Sequence, residues 1–123
     1  MKITTFDPLI VTSKANDVIN AFSSLGFEQT HAPTTSVASG DVKTVRMKNP
    51  EGYHIDIADV KEQEKDSVII RMNVDNYDEA YDLLIKQGFK NTRGDGFVEA
   101  KSSKATTMVA PSGFTIALVE HTK

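Results

Sequence analysis

The strongest constraint on this chain is that its turn-forming landmarks occur twice at a nearly constant offset. Leu25-Gly26-Phe27 is answered by Gln87-Gly88-Phe89, 62 residues later, and Pro50-Glu51-Gly52 by Pro111-Ser112-Gly113, 61 residues later. A chain of 123 residues therefore reads as two modules of about 60 residues, each too small to bury a sheet face alone, which should pack against each other. The competing reading is a small α+β domain with coincidental turns. It has the same elements but does not account for the paired offsets.

The elements follow the same order in both halves. Ile3 to Val11 is β-prone, and Pro8, which cannot donate to a ladder, marks it as an edge strand or a strand with a local irregularity. A helix follows, with Ser13 as its expected cap. Ala15, Val18, Ile19 and Phe22 form its apolar face, and Gly26 is its stop. Three strands are expected next: Phe27 to Thr30, Val42 to Met47 and Tyr53 to Ala58. Ser39-Gly40-Asp41 and Asn49-Pro50-Glu51-Gly52 supply the turns.

After the charged linker Lys61 to Asp66, Val68 to Val74 reads as a strand and Asp75 as the N-cap of a second helix. Tyr77, Ala80, Tyr81 and Leu84 form that helix's apolar face, and Gly88 ends it. Phe97 to Lys101, Thr106 to Val109 and Phe114 to Val119 complete the second β-α-β-β-β series. The expected organisation is one domain over 1–123, made of modules 1–60 and 66–121.

Composition narrows the function classes. Fourteen Lys and Arg against 17 Asp and Glu give a net charge of −3, which offers no general attraction for nucleic acid or anionic lipid. With no cysteine, thiolate catalysis, disulfides and cysteine-bound metal clusters are excluded. The glycines are dispersed in turns and form no phosphate loop, and Ser23-Ser24 and Ser102-Ser103 lack a nucleophile-elbow context. No segment has the roughly 18 consecutive apolar residues of a membrane span, and the opening Met-Lys-Ile-Thr-Thr-Phe-Asp lacks an apolar signal core. The expected location is cytoplasmic, with neither nucleic acid nor membrane as a partner.

With these landmarks in order, the chain resembles the glyoxalase, bleomycin-resistance and extradiol-dioxygenase superfamily, the vicinal oxygen chelate fold. The likeness lies in Phe22-Ser23-Ser24-Leu25-Gly26-Phe27 followed by Asn49-Pro50-Glu51-Gly52-Tyr53-His54-Ile55-Asp56-Ile57. It recurs in Val74 to Ala80, Gly88-Phe89, and Pro111-Ser112-Gly113-Phe114-Thr115-Ile116-Ala117-Leu118. The resemblance implies an α+β fold of two tandem βαβββ modules forming a mixed sheet curled around a cavity, often as a homodimer and often with a divalent metal. It also implies metal positions on the first and fourth strands of each module, which fall at Phe6, Asp56, Ile69 and Ala117. Only Asp56 offers an oxygen, whereas such an ion takes about three or four protein ligands. The expectation is therefore no metal and no cofactor.

Strand alternation places other polar residues. If Asp56 faces the cavity, so does His54, while Ile55 and Ile57 face the helix. Arg71 and Asn73 share one face of their strand, opposite the apolar Ile70, Met72 and Val74. His54, Asp56, Arg71 and Asn73 are thus the candidate ligand-binding residues, with Arg71 offering a planar donor fork to a carboxylate or phosphate-like group. The alternative for Asp56 and Arg71 is a structural ion pair. Arg46 and Lys48 lie on one face and read as a cavity rim or a solvated surface, while His31 and His121 read as surface residues.

Three functions remain. The first is a metal-free protein that sequesters or senses a small organic molecule. The second is a lyase, isomerase or transferase with a displaced metal site or metal-independent chemistry through Asp56 or His54. The third is a structural or regulatory dimer with no useful cavity, the space being filled by large side chains such as Phe6, Phe97 and Phe114.

Overall fold

The computed structural model describes residues 1–31, 34–37, 40–100 and 103–121. In chain order these form β1 (Ile3–Thr12), α1 (Ala15–Ser24), β2 (Glu28–His31), β3 (Thr34–Val37), β4 (Gly40–Lys48), β5 (His54–Asp59) and β6 (Ser67–Val74). They continue with α2 (Tyr77–Lys86), β7 (Lys90–Asn91), β8 (Val98–Ala100), β9 (Ser103–Val109) and β10 (Thr115–His121). The chain divides into two compact units, Asp7–Val68 and a second made of Met1–Phe6 with Ile69–Lys123.

In the Asp7–Val68 unit the strand order is β2-β4-β5-β1, with β3 also on β4. The tight turn after β4, closed by the Asn49 amide donating to the Tyr53 carbonyl at 3.0 Å, sets an antiparallel register of Lys48 with His54 and Arg46 with Asp56. Pairing of β1 with β5 is parallel and starts at Leu9 opposite Asp56, directly after Pro8. Every second residue then faces α1. Val45, Met47, Ile55 and Ile57 are buried with Ala15, and Ile10, Val18, Ile19, Phe22 and Phe27 pack against them. Met47 and Ile57 are almost wholly inaccessible, and burial of each contributes about 1.5–3 kcal/mol.

The second unit repeats the plan. β6 runs parallel to β10, β9 is antiparallel to β10, and β7 and β8 both pair with β9. Met72, Val74, Met108, Ile116 and Leu118 are buried with Tyr77 and Ala80 of α2, and Tyr81, Leu84 and Phe89 close the cluster.

Both helices end in the same hydrogen-bonded device. The Gly26 amide donates to Ser23 and the Phe27 amide to Phe22, as Gly88 does to Ile85 and Phe89 to Leu84. This is the Schellman pattern, and it needs a left-handed residue at the position that glycine occupies; φ is +102° at Gly26 and +93° at Gly88. Phe27 stacks edge-on against Phe22 at 5.4 Å, the apolar contact that accompanies this cap. The repeated Gly-Phe pair in the sequence encodes that geometry.

Several expectations require correction. The sheet is open and mixed: in neither unit does the strand path return to close, so it is not a sheet curled around a cavity. The path ends on β2, of 4 residues, and β7, of 2, strands too short to carry a closing ladder. Ser13 does not cap α1. The N-cap is Lys14, without a side-chain hydrogen bond, and the Lys14 amide instead donates to the Thr12 hydroxyl at 2.9 Å. The second cap is Asn76 rather than Asp75, with the Asn76 carbonyl oxygen accepting from the Glu79 amide at 3.1 Å. The strands β3 and β7 have no counterpart among the expected elements. Phe6, Phe97 and Phe114 fill no cavity, being 64%, 42% and 52% exposed. Ser39 of one expected turn, Ala32 and Pro33 beside His31, and Lys101 and Ser102 lie outside the described residues.

Candidate functional site

Because Val45, Met47, Ile55 and Ile57 face α1, the intervening residues of β4 and β5 project from the opposite side of the sheet. Arg46 and Asp56 meet there as register partners, with Arg46 Nε 3.5 Å from Asp56 Oδ1. Asp56 is only 1% exposed, and a carboxylate that deep is tolerated only with charge or hydrogen-bond partners. The Nη2 atom of Arg46 is also buried and has no acceptor among the described residues. His54 shares the Asp56 face but lies exposed at the start of β5.

One strand over, Asp7 is 4% exposed while its neighbour Phe6 projects outward. Alternation from Leu9, the register partner of Asp56, places Asp7 on the same side as Asp56. Asp7 thus brings a buried carboxylate from β1 to this side of the sheet.

In the second unit Met72 and Val74 face α2, which leaves Arg71 and Asn73 on the far side. The structure brings these two together: Arg71 Nε donates to Asn73 Oδ1 at 3.2 Å, and Asn73 is almost fully buried. Their register partners on β10 are Ala117 and Val119.

Two residues of this face are not singled out by the sequence reading. Strand alternation alone sets Arg46 on a rim or solvated face, although counting back from the Asn49-Pro50-Glu51-Gly52 turn pairs it with Asp56. Asp7 registers in the sequence only through its place beside Pro8 in β1. His121 ends β10 and is exposed.

On the helix side of the second unit, Tyr77 is 4% exposed. Burial pushes its phenol up to about 12, with Tyr81 and Asp78 adding to the shift and the nearby Thr106 hydroxyl opposing it. That hydroxyl donates to Asn91 Oδ1, and the Tyr77 oxygen has no hydrogen-bond partner among the described residues. A surface depression of about 210 Å³ lies elsewhere, at the end of α1, lined by Gly26, Glu28, Thr30, Lys48, Asn49 and Pro50. It contains none of the candidate ligand-binding residues.

The donor set does not fit a divalent ion. Of the positions implied by resemblance, Phe6, Ile69 and Ala117 have no side-chain lone pair, and the Asp56 carboxylate is engaged by Arg46. Among the described residues no group of three or more His, Cys, Asp or Glu is placed to hold a metal, whereas such ions take about three or four ligands. No described helix is long and apolar enough to cross a membrane.

Comparison with solved structures places the architecture. Methylmalonyl-CoA epimerase from Mycobacterium tuberculosis superposes with a TM-score of 0.73 at 15% identity, over 98% of this chain and 90% of that one. The chain has the fold of the glyoxalase and bleomycin-resistance superfamily. A variant of the Streptomyces coelicolor methylmalonyl-CoA epimerase, in complex with 2-nitronate-propionyl-CoA, gives 0.70 at 14% identity over 99% of this chain and 100% of that one. A glyoxalase I variant from Zea mays gives 0.68 at 12% identity, over 97% of this chain but 43% of that one. No protein-family model and no curated protein sequence matches the chain.

Proposed function

We propose that this protein is a small-molecule enzyme of the isomerase class that moves a proton on carbon without a divalent ion at the positions implied by resemblance. The observation that carries this reading is the pair of buried carboxylates, Asp7 and Asp56, on the side of the sheet turned away from α1. A carboxylate held in place on a substrate-facing side of a sheet is a candidate general base. The shared fold with two methylmalonyl-CoA epimerases supports the reaction class. In this reading Asp7 takes the proton from an acidic carbon and returns it, leaving atoms and charge balanced. His54 and Asp56 of the first unit and Arg71 and Asn73 of the second are the proposed ligand-facing residues.

The test is deuterium incorporation from heavy water into a panel of small organic acids and thioesters with an acidic α-carbon. Wild type should exchange at least one of them, and Asp7→Asn, checked for fold by circular dichroism, should lose most of that rate. No exchange across the panel contradicts the proposal.

A second reading is sequestration or sensing of a small organic molecule without metal. It is favoured by the Arg46–Asp56 contact, which occupies the one metal-position carboxylate. It predicts saturable binding with no exchange. Assembly as a homodimer and a cytoplasmic location belong to both proposals, and sedimentation velocity tests the first of these.

A further inference from the structure

We propose that the depression at the end of α1 is a binding site for a free α-amino acid, whose ammonium group is taken by Glu28 and Thr30 and whose carboxylate is taken by Lys48 and Asn49. The site lies wholly within the Asp7–Val68 unit. It is separate from the Asp7 chemistry above and does not depend on it.

The argument begins with register. Glu28 of β2 and Lys48 of β4 are antiparallel partners, and directly opposed residues put their side chains on the same side of a sheet. Val45 and Met47 face α1, so alternation turns Lys48, and Glu28 with it, to the other side. Both are exposed, and both line the depression of about 210 Å³ together with Gly26, Thr30, Asn49 and Pro50. Among the described residues neither side chain makes an ion pair or a hydrogen bond. Opposite charges at a surface gain little from pairing directly, so placing a ligand between them costs little.

The other lining groups give the depression two poles. On the Glu28 side, the Thr30 hydroxyl donates to the Arg46 carbonyl at 3.4 Å, which leaves its oxygen to accept. On the Lys48 side, Asn49 Nδ2 donates to Glu51 Oε1 at 2.9 Å, and Asn49 Oδ1 accepts from the Tyr53 amide at 2.8 Å. These bonds hold the amide as a preformed wall and leave one of its two N–H donors uncommitted. Gly26 contributes no side chain, and a Cβ there would meet no atom within 4 Å, so nothing crowds that edge.

Charge and size select the ligand. A simple carboxylic acid leaves Glu28 without a cation, and a simple amine leaves Lys48 without an anion. A phosphate or nucleotide places excess negative charge beside Glu28. The volume of about 210 Å³ falls below the range of about 300–1,000 Å³ that holds drug-sized molecules, which favours one amino acid over a peptide.

The experiment follows the backbone amide resonances of the full chain by NMR during titration with L-alanine and L-leucine. N-acetyl-L-alanine lacks the ammonium and L-alaninamide lacks the carboxylate, so each removes one pole. The expected result is saturable shifts centred on Gly26, Glu28, Thr30, Lys48 and Asn49, with each blocked derivative bound at least tenfold more weakly. Glu28→Gln should abolish the preference for alanine over N-acetyl-alanine, and Lys48→Met the preference for alanine over alaninamide, effects that loss of stability would not produce. The spectra of both variants report whether they are folded, and the derivative series on the wild type carries the test by itself if either is not. No saturable shift with either amino acid, shifts centred away from the depression, or equal binding of the blocked derivatives overturns the assignment.

Discussion

Asp75 and Lys2 bond to each other twice. The Lys2 amide donates to Asp75 Oδ1 at 2.6 Å, and the Asp75 amide donates to the Lys2 carbonyl at 3.0 Å. The start of the chain is thereby tied to the entry of α2, and the Met1 ammonium adds an ion pair to Glu79 at 3.1 Å. Asp75 is thus occupied by a partner far away in sequence, which leaves capping to Asn76.

This division of labour separates three substitutions. Asn76→Ala removes the cap and should cost about 1 kcal/mol, and Asp75→Ala about the same through the lost Lys2 contact. Ser13→Ala should stay within about 0.5 kcal/mol, since no cap depends on it. Urea unfolding of the three variants measures the order.

The two glycines that end the helices should be equally sensitive. Gly26→Ala and Gly88→Ala each force a side chain into the left-handed region, at a cost of about 1–2 kcal/mol. No atom lies within 4 Å of a Cβ at Gly26, and at Gly88 the nearest is Pro111 Cγ at 3.7 Å. The cost is therefore conformational rather than steric, and d-alanine introduced at either position by chemical synthesis should restore stability.

Tyr77 gives a pH signature. Its phenol is raised from 10.0 to about 12 in the folded state, so the fold favours the neutral form. The associated stability is fully present below about pH 10 and is lost as pH rises through about 12. Absorbance at the phenolate band should show one of the three tyrosines titrating last, and Tyr77→Phe should remove that step. Because the hydroxyl is buried without a partner among the described residues, the same variant should be more stable than wild type at neutral pH, by about 1 kcal/mol.

Lys104 lies 4.6 Å from the ring centroids of both Tyr77 and Phe97 and 3.2 Å from Asp78 Oδ1. The rings hold the ammonium in place, while Asp78 is 83% exposed and its ion pair is screened. Lys104→Met should cost about 1 kcal/mol, and Asp78→Asn less than about 0.5 kcal/mol. Thermal melts at low and high salt distinguish the two contributions.

The repeat and both helices are legible in the sequence because Leu-Gly-Phe and Gln-Gly-Phe spell out a helix end whose hydrogen bonds are local. Alternation separates Met72 and Val74 from Arg71 and Asn73 for the same reason. The caps fall one residue away from their expected places at both helices: Ser13 and Asp75 have capping chemistry, but the choice among adjacent candidates is made by tertiary contacts such as Lys2 with Asp75. β3 and β7 leave little trace in the sequence because Thr34–Val37 is short and polar, and Lys90–Asn91 has only two residues, which pair with β9. At the candidate site, Asp56 is visible from the resemblance, whereas Arg46 becomes its partner only through hairpin register. The burial of Asp7 beside Pro8 has no signature in local pattern.

The central claim is proton transfer at this sheet face by the chain's own side chains. Its most direct test is the deuterium-exchange rate of the best small acid or thioester, measured in metal-free buffer with and without excess chelator. The account predicts one rate under both conditions, with most of it lost in Asp7→Asn. Exchange abolished by chelator and restored by one equivalent of a divalent ion would contradict it.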